Sequence, residues 1–144
     1  MSAGIGTVAF FDALADEMNA HPERYAPLGE AEMVVEVVMS APTGDFRARL
    51  AFEGLGCSGV TAVDGAPDAD FRLTGPLEAW QAMFDDIVAH GRATGKHTIN
   101  SLALMGDEIV CLGDDPMGLD KFSRFNQTLQ EFLDGARHVA AGAR

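Results

Sequence analysis

The side chains that could carry out catalysis in this chain are four histidines and a group of carboxylates near residue 110. His97 is the one histidine that lies beside both a polar loop, RATGKH, and an apolar stretch, TINSLALM. Imidazole titrates near neutral pH, so His97 is a candidate acid or base, with Asp107 or Glu108 as its partner. The alternative is a loop histidine with a structural hydrogen bond. Beyond these three candidates the sequence predicts no catalytic residue.

Metal and cofactor sites are not predicted. The spacing of the acidic residues between 107 and 115 does not match a calcium-binding loop, and no helical histidine pair suits zinc. The chain also lacks the glycine-rich motifs that bind nucleotides and the motif of a serine nucleophile. Cys57 and Cys111 form no C-x-x-C pair, so both are predicted to be structural thiols.

Length and charge restrict the class of protein. The chain has 144 residues, 47% of them apolar, and a formal net charge of −12. This predicts a single domain, 1–144, with its core at about 7–134 and a frayed tail at 136–144. The acidic balance excludes nucleic acid as a partner and weakens adsorption to anionic membranes. No apolar run approaches the roughly 18 residues of a membrane span, and the N-terminus has no basic segment of a signal peptide. We expect no stable membrane insertion and a cytoplasmic location.

The first half of the chain predicts one helix and several strands. Apolar spacing at 7–19 predicts a helix with Thr7 as its N-cap. Alternation at 32–40 and 46–53 predicts two strands of an antiparallel hairpin. Both faces of the first strand are largely apolar, so it is expected to be central or covered on both sides. GLGCSG is predicted to be a loop, followed by short strands at 60–63 and 70–74.

The second half predicts two helices around another hairpin. One helix begins with Pro76 at its first position and ends near His90 and Gly91. Strands at 98–105 and 108–112 flank Gly106 and Asp107 as a hairpin, the alternative being one strand followed by an irregular loop. The last helix runs from about Pro116 to Asp134 with Asp115 as N-cap. Helices segregated from a mostly antiparallel sheet give an α+β fold.

Two helices carry wide apolar stripes that contain five of the eleven aromatic residues. The first stripe is Leu77, Trp80, Phe84 and Ile87, and the second includes Leu119, Phe122, Phe125, Leu129, Phe132 and Leu133. Asn126 lies at the edge of the second stripe, where it has either a structural role or contact with the polar end of a ligand. The pattern is compatible with a solid core and with a pocket.

From about Ala31 to Asp134 the chain resembles the sterol carrier protein 2 family. Three segments carry the resemblance: DADFRLTGPLEAWQAMF at 68–84, LALMGD at 102–107 and KFSRFNQTLQEFL at 121–133. The resemblance implies a five-stranded sheet covered by helices, with an apolar tunnel or pocket for fatty acyl chains, sterols or other lipids. Carried over by position, the ligand-binding walls would come from Trp80, Phe84, Ile87, Leu102, Leu104, Phe122, Phe125, Leu129 and Phe132, with Asn126 beside them.

These observations support a small carrier or binding protein for a hydrophobic ligand of fatty acyl, sterol or steroid type. One alternative is an enzyme of lipid or steroid metabolism that uses the same pocket for isomerisation or hydration. Another is a non-catalytic subunit of a lipid-metabolising complex. A homodimer and a partner enzyme both stay open as partners.

Overall fold

The computed structural model describes residues 5–62, 69–104, 108–113 and 115–142. Its helices are α1 Val8–Ala20, α2 Leu77–His90, α3 Ile99–Leu104, α4 Pro116–Asp134 and α5 Ala136–Gly142. Its strands are β1 Ala31–Ser40, β2 Phe46–Gly54, β3 Gly56–Ala62, β4 Phe71–Pro76 and β5 Val110–Leu112. Short 3-10 turns occur at Pro22–Arg24, Ala26–Leu28 and Gly95–His97.

The strands form one five-stranded sheet in the order β3-β2-β1-β4-β5. The pairs β1–β2, β2–β3 and β4–β5 are antiparallel, and β1–β4 is parallel. The predicted α+β class with a mostly antiparallel sheet of about five strands is therefore confirmed. β1 is the central strand, as its two apolar faces indicated.

Local capping signals place the starts of α1 and α4 and the end of α2 correctly. The Thr7 hydroxyl accepts a hydrogen bond from the Phe10 amide at 3.2 Å, and the Asp115 carboxylate accepts one from the Met117 amide at 3.0 Å. Each bond satisfies an N–H group that has no partner within the helix. Gly91 ends α2 with a φ of 82°, the left-handed conformation that glycine adopts without strain.

The predicted strand at 98–105 is wrong, since Ile99–Leu104 form helix α3. The Thr98 hydroxyl accepts a hydrogen bond from the Ser101 amide at 3.1 Å, which caps this short helix. The Gln130 side chain in α4 also accepts a bond from the Ile99 amide at 2.7 Å. These two bonds satisfy backbone donors that a strand would need to pair in the sheet. The predicted turn at Gly106 and Asp107 lies outside the described residues.

Two boundaries of the sheet also differ from the prediction. The predicted loop GLGCSG contains the start of β3, because the Asn19 side chain bonds both the amide and the carbonyl of Cys57 at 2.9 Å. Pro76 is the N-cap of α2 and not its first residue. β4 extends through Gly75, whose missing side chain leaves room for the backbone of Glu108.

The expectation of a frayed tail at 136–144 is wrong over residues 136–142, which form helix α5. Ala136 has no exposed surface, and the Arg137 guanidinium donates to the Gly91 carbonyl at 3.0 Å. That bond joins the end of the chain to the end of α2. Burial of Ala136 and the Arg137 contact at the C-terminus of α2 together order a segment that composition alone predicts to be frayed.

The hydrophobic core lies on one face of the sheet. The core contains alternate β1 side chains together with residues of α1, α2 and α4; the β1 members are Met33, Val35, Val37 and Met39. Within the described residues, every sheet side chain of this core points to the same face. No described helix is long and apolar enough to cross a membrane.

Candidate functional site

Helix α2 supplies the first predicted wall of the ligand site. Trp80, Phe84 and Ile87 are buried on one face of this helix. The Trp80 indole N–H donates to the Val38 carbonyl at 3.1 Å and so fixes the helix on the central strand. The Phe84 ring meets the Phe10 ring of α1 edge-on, with centroids 5.0 Å apart.

Helix α4 supplies the facing wall. Near its start, the Phe122 ring contacts Phe71 of β4 with centroids 5.5 Å apart. Near its end, the Phe132 ring contacts Phe52 of β2 with centroids 5.0 Å apart. The helix therefore runs across the sheet from β4 to β2. Leu129 lies between these contacts and is 1% exposed.

The interior between these walls is filled by protein. Seven of the predicted wall residues are at most 3% exposed: Trp80, Phe84, Ile87, Leu102, Phe122, Leu129 and Phe132. A side chain that lined a space wide enough for water would carry accessible surface, and a ligand needs a wider space. The described residues thus form a closed core at this place, and no tunnel is seen among them.

Helix α4 has a backbone break that divides it into two halves. Phe125 has φ −115° and ψ 18°, which is outside helical geometry. The half before the break buries only Gly118 and Phe122, whereas the half after it buries five residues, 128–129 and 132–134. The first half is also held by an ion pair of 3.4 Å between Lys121 and Asp70. The first half therefore buries fewer residues than the second.

Phe125 and Asn126, two of the other predicted ligand-binding residues, are half-buried at the margin of this core. Leu104 is the last residue of α3. Phe125 is half-buried, with the Arg124 guanidinium 5.6 Å from its ring centroid. The Asn126 amide donates to the Ser123 carbonyl at 2.9 Å, a bond local to the helix. That bond gives the Asn126 amide nitrogen a partner within α4.

His97 and Glu108, predicted as acid–base candidates, line one cavity of about 360 Å³. The cavity lies along α2 and opens beside the 3-10 turn Gly95–His97. Its other described walls are Pro76, Glu78, Ala79, Ala82 and Lys96. Asp107, the third candidate, lies outside the described residues. The structure therefore brings together two of the three predicted residues, in a cavity lined by charged side chains and by small apolar ones.

Asp86 lies behind His97, and the sequence patterns did not single it out. Its carboxylate is 3.9 Å from His97 Nδ1 and 2.9 Å from His90 Nδ1, and it accepts bonds of 2.6 and 3.0 Å from the Thr94 amide and hydroxyl. Burial raises the pKa of this carboxyl, but the Thr94 bonds and the two histidines outweigh burial, and the net pKa is lowered. Asp86 is thus a negatively charged neighbour of His97, at ion-pair distance and beyond the length of a hydrogen bond.

A helical spacing signal could have identified Asp86. Ala79, Ala82 and Asp86 recur at three and four residues, so they share one face of α2. The apolar stripe of this helix, which predicts the buried face, lies on the opposite side, so the pattern did not indicate Asp86. The contact with His97 depends on how the loop after Gly91 returns along the helix, and the sequence does not determine that path.

Comparison with solved structures identifies the fold. The crystal structure of sterol carrier protein 2 matches with a TM-score of 0.67 and 21% identity, over 94% of this chain and 98% of that one. A conserved hypothetical protein of Thermus thermophilus, suggested to be a sterol carrier protein, matches with a TM-score of 0.70 and 21% identity. The match covers 96% of this chain and 92% of that one. Apo sterol carrier protein 2 from Yarrowia lipolytica matches with a TM-score of 0.54 and 17% identity, over 95% of this chain and 96% of that one.

No protein-family model matches the chain, and no curated protein matches it in sequence. The structural comparisons cover nearly the whole of each chain, so the likeness extends to the complete fold and not to one motif. The chain therefore has the fold of sterol carrier protein 2, as the resemblance in three sequence segments predicted.

Proposed function

We propose that this protein binds and carries a hydrophobic ligand of the fatty acyl, sterol or steroid class. The observation that supports the proposal is the fold, which is like that of two sterol carrier protein 2 structures and of a hypothetical protein suggested to be a sterol carrier protein, over at least 94% of this chain. The aromatic residues of α2 and α4 provide the apolar surface that such a ligand would bury. Burial of apolar surface gives roughly 25 cal/mol per Å², which is sufficient for binding without many polar contacts.

We place the ligand between α2, α4 and the sheet. Because this interior is closed, binding requires part of its wall to move. The first half of α4 is the best candidate, since it buries two residues and ends at the backbone break at Phe125. Displacement of this half would withdraw Phe122 from Phe71 and expose the core face of β4 to a ligand.

Native mass spectrometry after mild purification tests the proposal directly, because a carried ligand should appear as a mass above that of the chain. A thermal-shift series with oleate, palmitate and cholesterol provides the second measurement. A ligand at 100 times its Kd stabilises the folded state by about 2.7 kcal/mol, or about 5–10 °C in Tm for a chain of this length. A protein that is empty as purified and whose Tm ignores all three ligands would exclude the proposal.

A pair of phenylalanine variants tests where the ligand lies. Phe122→Ala removes a ring from the proposed wall. Phe46→Ala removes a ring that contacts Phe11 at the other side of the core, with centroids 6.0 Å apart. Both variants should lower Tm, and only Phe122→Ala should change ligand affinity. Equal changes in affinity would place the ligand elsewhere.

Acid–base catalysis in the His97 cavity is the second candidate function. The observation that favours it is that Glu108 and His97 line the same cavity, with Asp86 3.9 Å behind the imidazole. His97 would transfer a proton in an isomerisation or hydration, and Asp86 would stabilise the imidazolium. His97→Ala should then abolish turnover and leave ligand affinity unchanged. A carrier without catalysis would show no turnover before or after the substitution.

A further inference from the structure

Asp70 lies at the start of β4, beneath the first half of α4. Its carboxylate accepts a hydrogen bond from the Val34 amide at 2.7 Å, and its own amide donates to the Val34 carbonyl at 2.8 Å. These two bonds tie Asp70 to the central strand β1. Because Asp70 precedes the first residue of β4, the bond to Val34 and not the alternation of the strand positions its side chain. Asp70 therefore stays with the sheet when α4 moves.

Two residues of α4 contact Asp70. Gly118 rests on its backbone, since a Cβ atom at Gly118 would overlap the Asp70 carbonyl oxygen. The Lys121 ammonium lies 3.4 Å from the Asp70 carboxylate. Both residues belong to the half of the helix before the break at Phe125. Displacement of this half, which we propose for ligand entry, therefore removes the cationic partner of Asp70 and uncovers the Phe71 ring next to it.

The uncovered end of β4 presents a fixed hydrogen-bond acceptor next to an apolar surface. A carboxylate only accepts hydrogen bonds, so its complement is a donor, and the Lys121 ammonium marks the place of that donor in the closed protein. The one cation of β4, Arg72, lies opposite Glu36 in the pairing register, on the face of the sheet away from the core. A fatty-acid carboxylate beside Asp70 would be repelled by it. This end of the sheet therefore favours a lipid whose polar group donates a hydrogen bond.

We propose that Asp70 binds the polar end of the carried lipid, and that this end is a hydroxyl donor, as in a sterol or a long-chain alcohol. The hydroxyl takes the place of Lys121 on the carboxylate, and the apolar part of the ligand lies on Phe71. The competing arrangement is a fatty acid held by Lys121. That ammonium is on a flexible side chain of the moving half of α4, whereas the Val34 amide holds Asp70 in position before the ligand arrives. This inference rests on the proposed carrier function and names the ligand class for it.

Two ligands with the same alkyl chain, dodecanol and dodecanoate, isolate the effect of the polar end. Isothermal titration calorimetry of the full chain at pH 8, where dodecanoate is ionised, gives the ratio of the dodecanoate Kd to the dodecanol Kd. In Asp70→Asn, whose side-chain oxygen can still accept from Val34, this ratio should fall about tenfold, because a bond to a charged acceptor is lost and a repulsion is removed. A change in the opening of α4 affects both ligands equally and cancels in the ratio, as does the difference in hydrophobicity between the ligands.

The matched control is Asp120→Asn, which removes the same charge from the first half of α4. The Asp120 carboxylate pairs with Arg124 of the same helix at 2.6 Å and does not reach the sheet. The ratio should therefore change less than about twofold in this variant. Circular dichroism and Tm confirm that each variant is folded. Should Asp70→Asn not fold, Lys121→Met replaces it: loss of the competing donor should lower both Kd values about threefold and leave their ratio unchanged.

Several results would contradict this assignment. Tighter binding of dodecanoate than of dodecanol by the native protein, or weaker binding of dodecanoate by Lys121→Met, would assign the polar end to Lys121. An equal ratio in the native protein and in Asp70→Asn, with both ligands bound, would remove Asp70 from the site and leave the carrier function standing. An equal fall in Asp120→Asn would show a response to net charge only. If the native protein binds neither these ligands nor cholesterol, the proposed carrier function fails together with this inference.

Discussion

The closed core predicts that a substitution can weaken the folded protein and strengthen ligand binding at the same time. Gly118 is in the first turn of α4, directly above the backbone of β4. A Cβ atom at this position would overlap the Asp70 carbonyl oxygen and lie 3.1 Å from its carbonyl carbon. In Gly118→Ala the first half of α4 must therefore retreat from the sheet. This retreat is the movement that we propose for ligand entry.

The expected size of both effects follows from the geometry. Overpacking of this kind costs about 1–3 kcal/mol, and it acts on the closed arrangement only. Alanine also favours the helix over glycine by about 1 kcal/mol, which acts on both arrangements and partly offsets the loss of Tm. The open arrangement becomes more populated by about tenfold for each 1.4 kcal/mol. The apparent Kd for a ligand that binds the open arrangement falls by the same factor.

Titration with a fluorescent fatty acid gives Kd, and urea denaturation gives stability. Gly75→Ala is the matched control, since its Cβ would lie 2.6 Å from the Glu108 carbonyl oxygen, away from α4. The control should lose stability and keep the Kd of the native protein. If Gly118→Ala loses stability with a Kd that is unchanged or weaker, entry by displacement of α4 is wrong. An equal gain of affinity in both variants would point to general loosening of the fold.

Three further predictions concern single side chains. Burial raises the pKa of Asp134, so the folded state loses stability as pH rises above about 4. The variant Asp134→Asn should therefore be more stable than the native protein at pH 7. In denaturation curves this difference should vanish below about pH 3. Burial raises the pKa of Cys111 to about 11. Iodoacetamide at pH 8 should therefore modify Cys111 about 100-fold more slowly in the native protein than in the unfolded chain, because the thiolate is the reactive form. Equal rates would show that Cys111 is not in a buried site. Trp80→Phe removes the indole donor to the Val38 carbonyl. The free energy of unfolding, measured by urea denaturation, should fall by about 2–4 kcal/mol. A fall of less than about 1 kcal/mol would show that another donor replaces the indole.

Features that depend on neighbouring residues were predictable from the sequence. Thr7 caps α1 through Phe10, and Asp115 caps α4 through Met117, both within three residues. The hairpin of β1 and β2 is similar, because its register follows from a short turn and from alternation on both sides. In each case the physical cause of the structure lies within the segment itself.

Features that depend on distant contacts were not predictable. TINSLALM alternates well enough for a strand, yet the side chain of Gln130, 31 residues away, accepts a bond from the Ile99 amide and helps to make the segment a helix. The Thr98 cap on Ser101 is local, but the alternation of apolar residues outweighed it in the prediction. The parallel pairing of β1 with β4 joins segments that are separated by β2 and β3. Only this pairing brings Arg72 beside Glu36, so the neighbours of Glu36 cannot be predicted from β1 alone.

The same limit applies to the ligand site. Apolar spacing predicts that Trp80 and Phe122 point inward, and both are buried. Inward-facing side chains enclose a space only if the side chains from several helices do not fill the volume between them. The difference between a filled and an unfilled volume can be as small as one methylene group. That fit is a property of the assembled core, so a closed interior and an open pocket have the same sequence pattern.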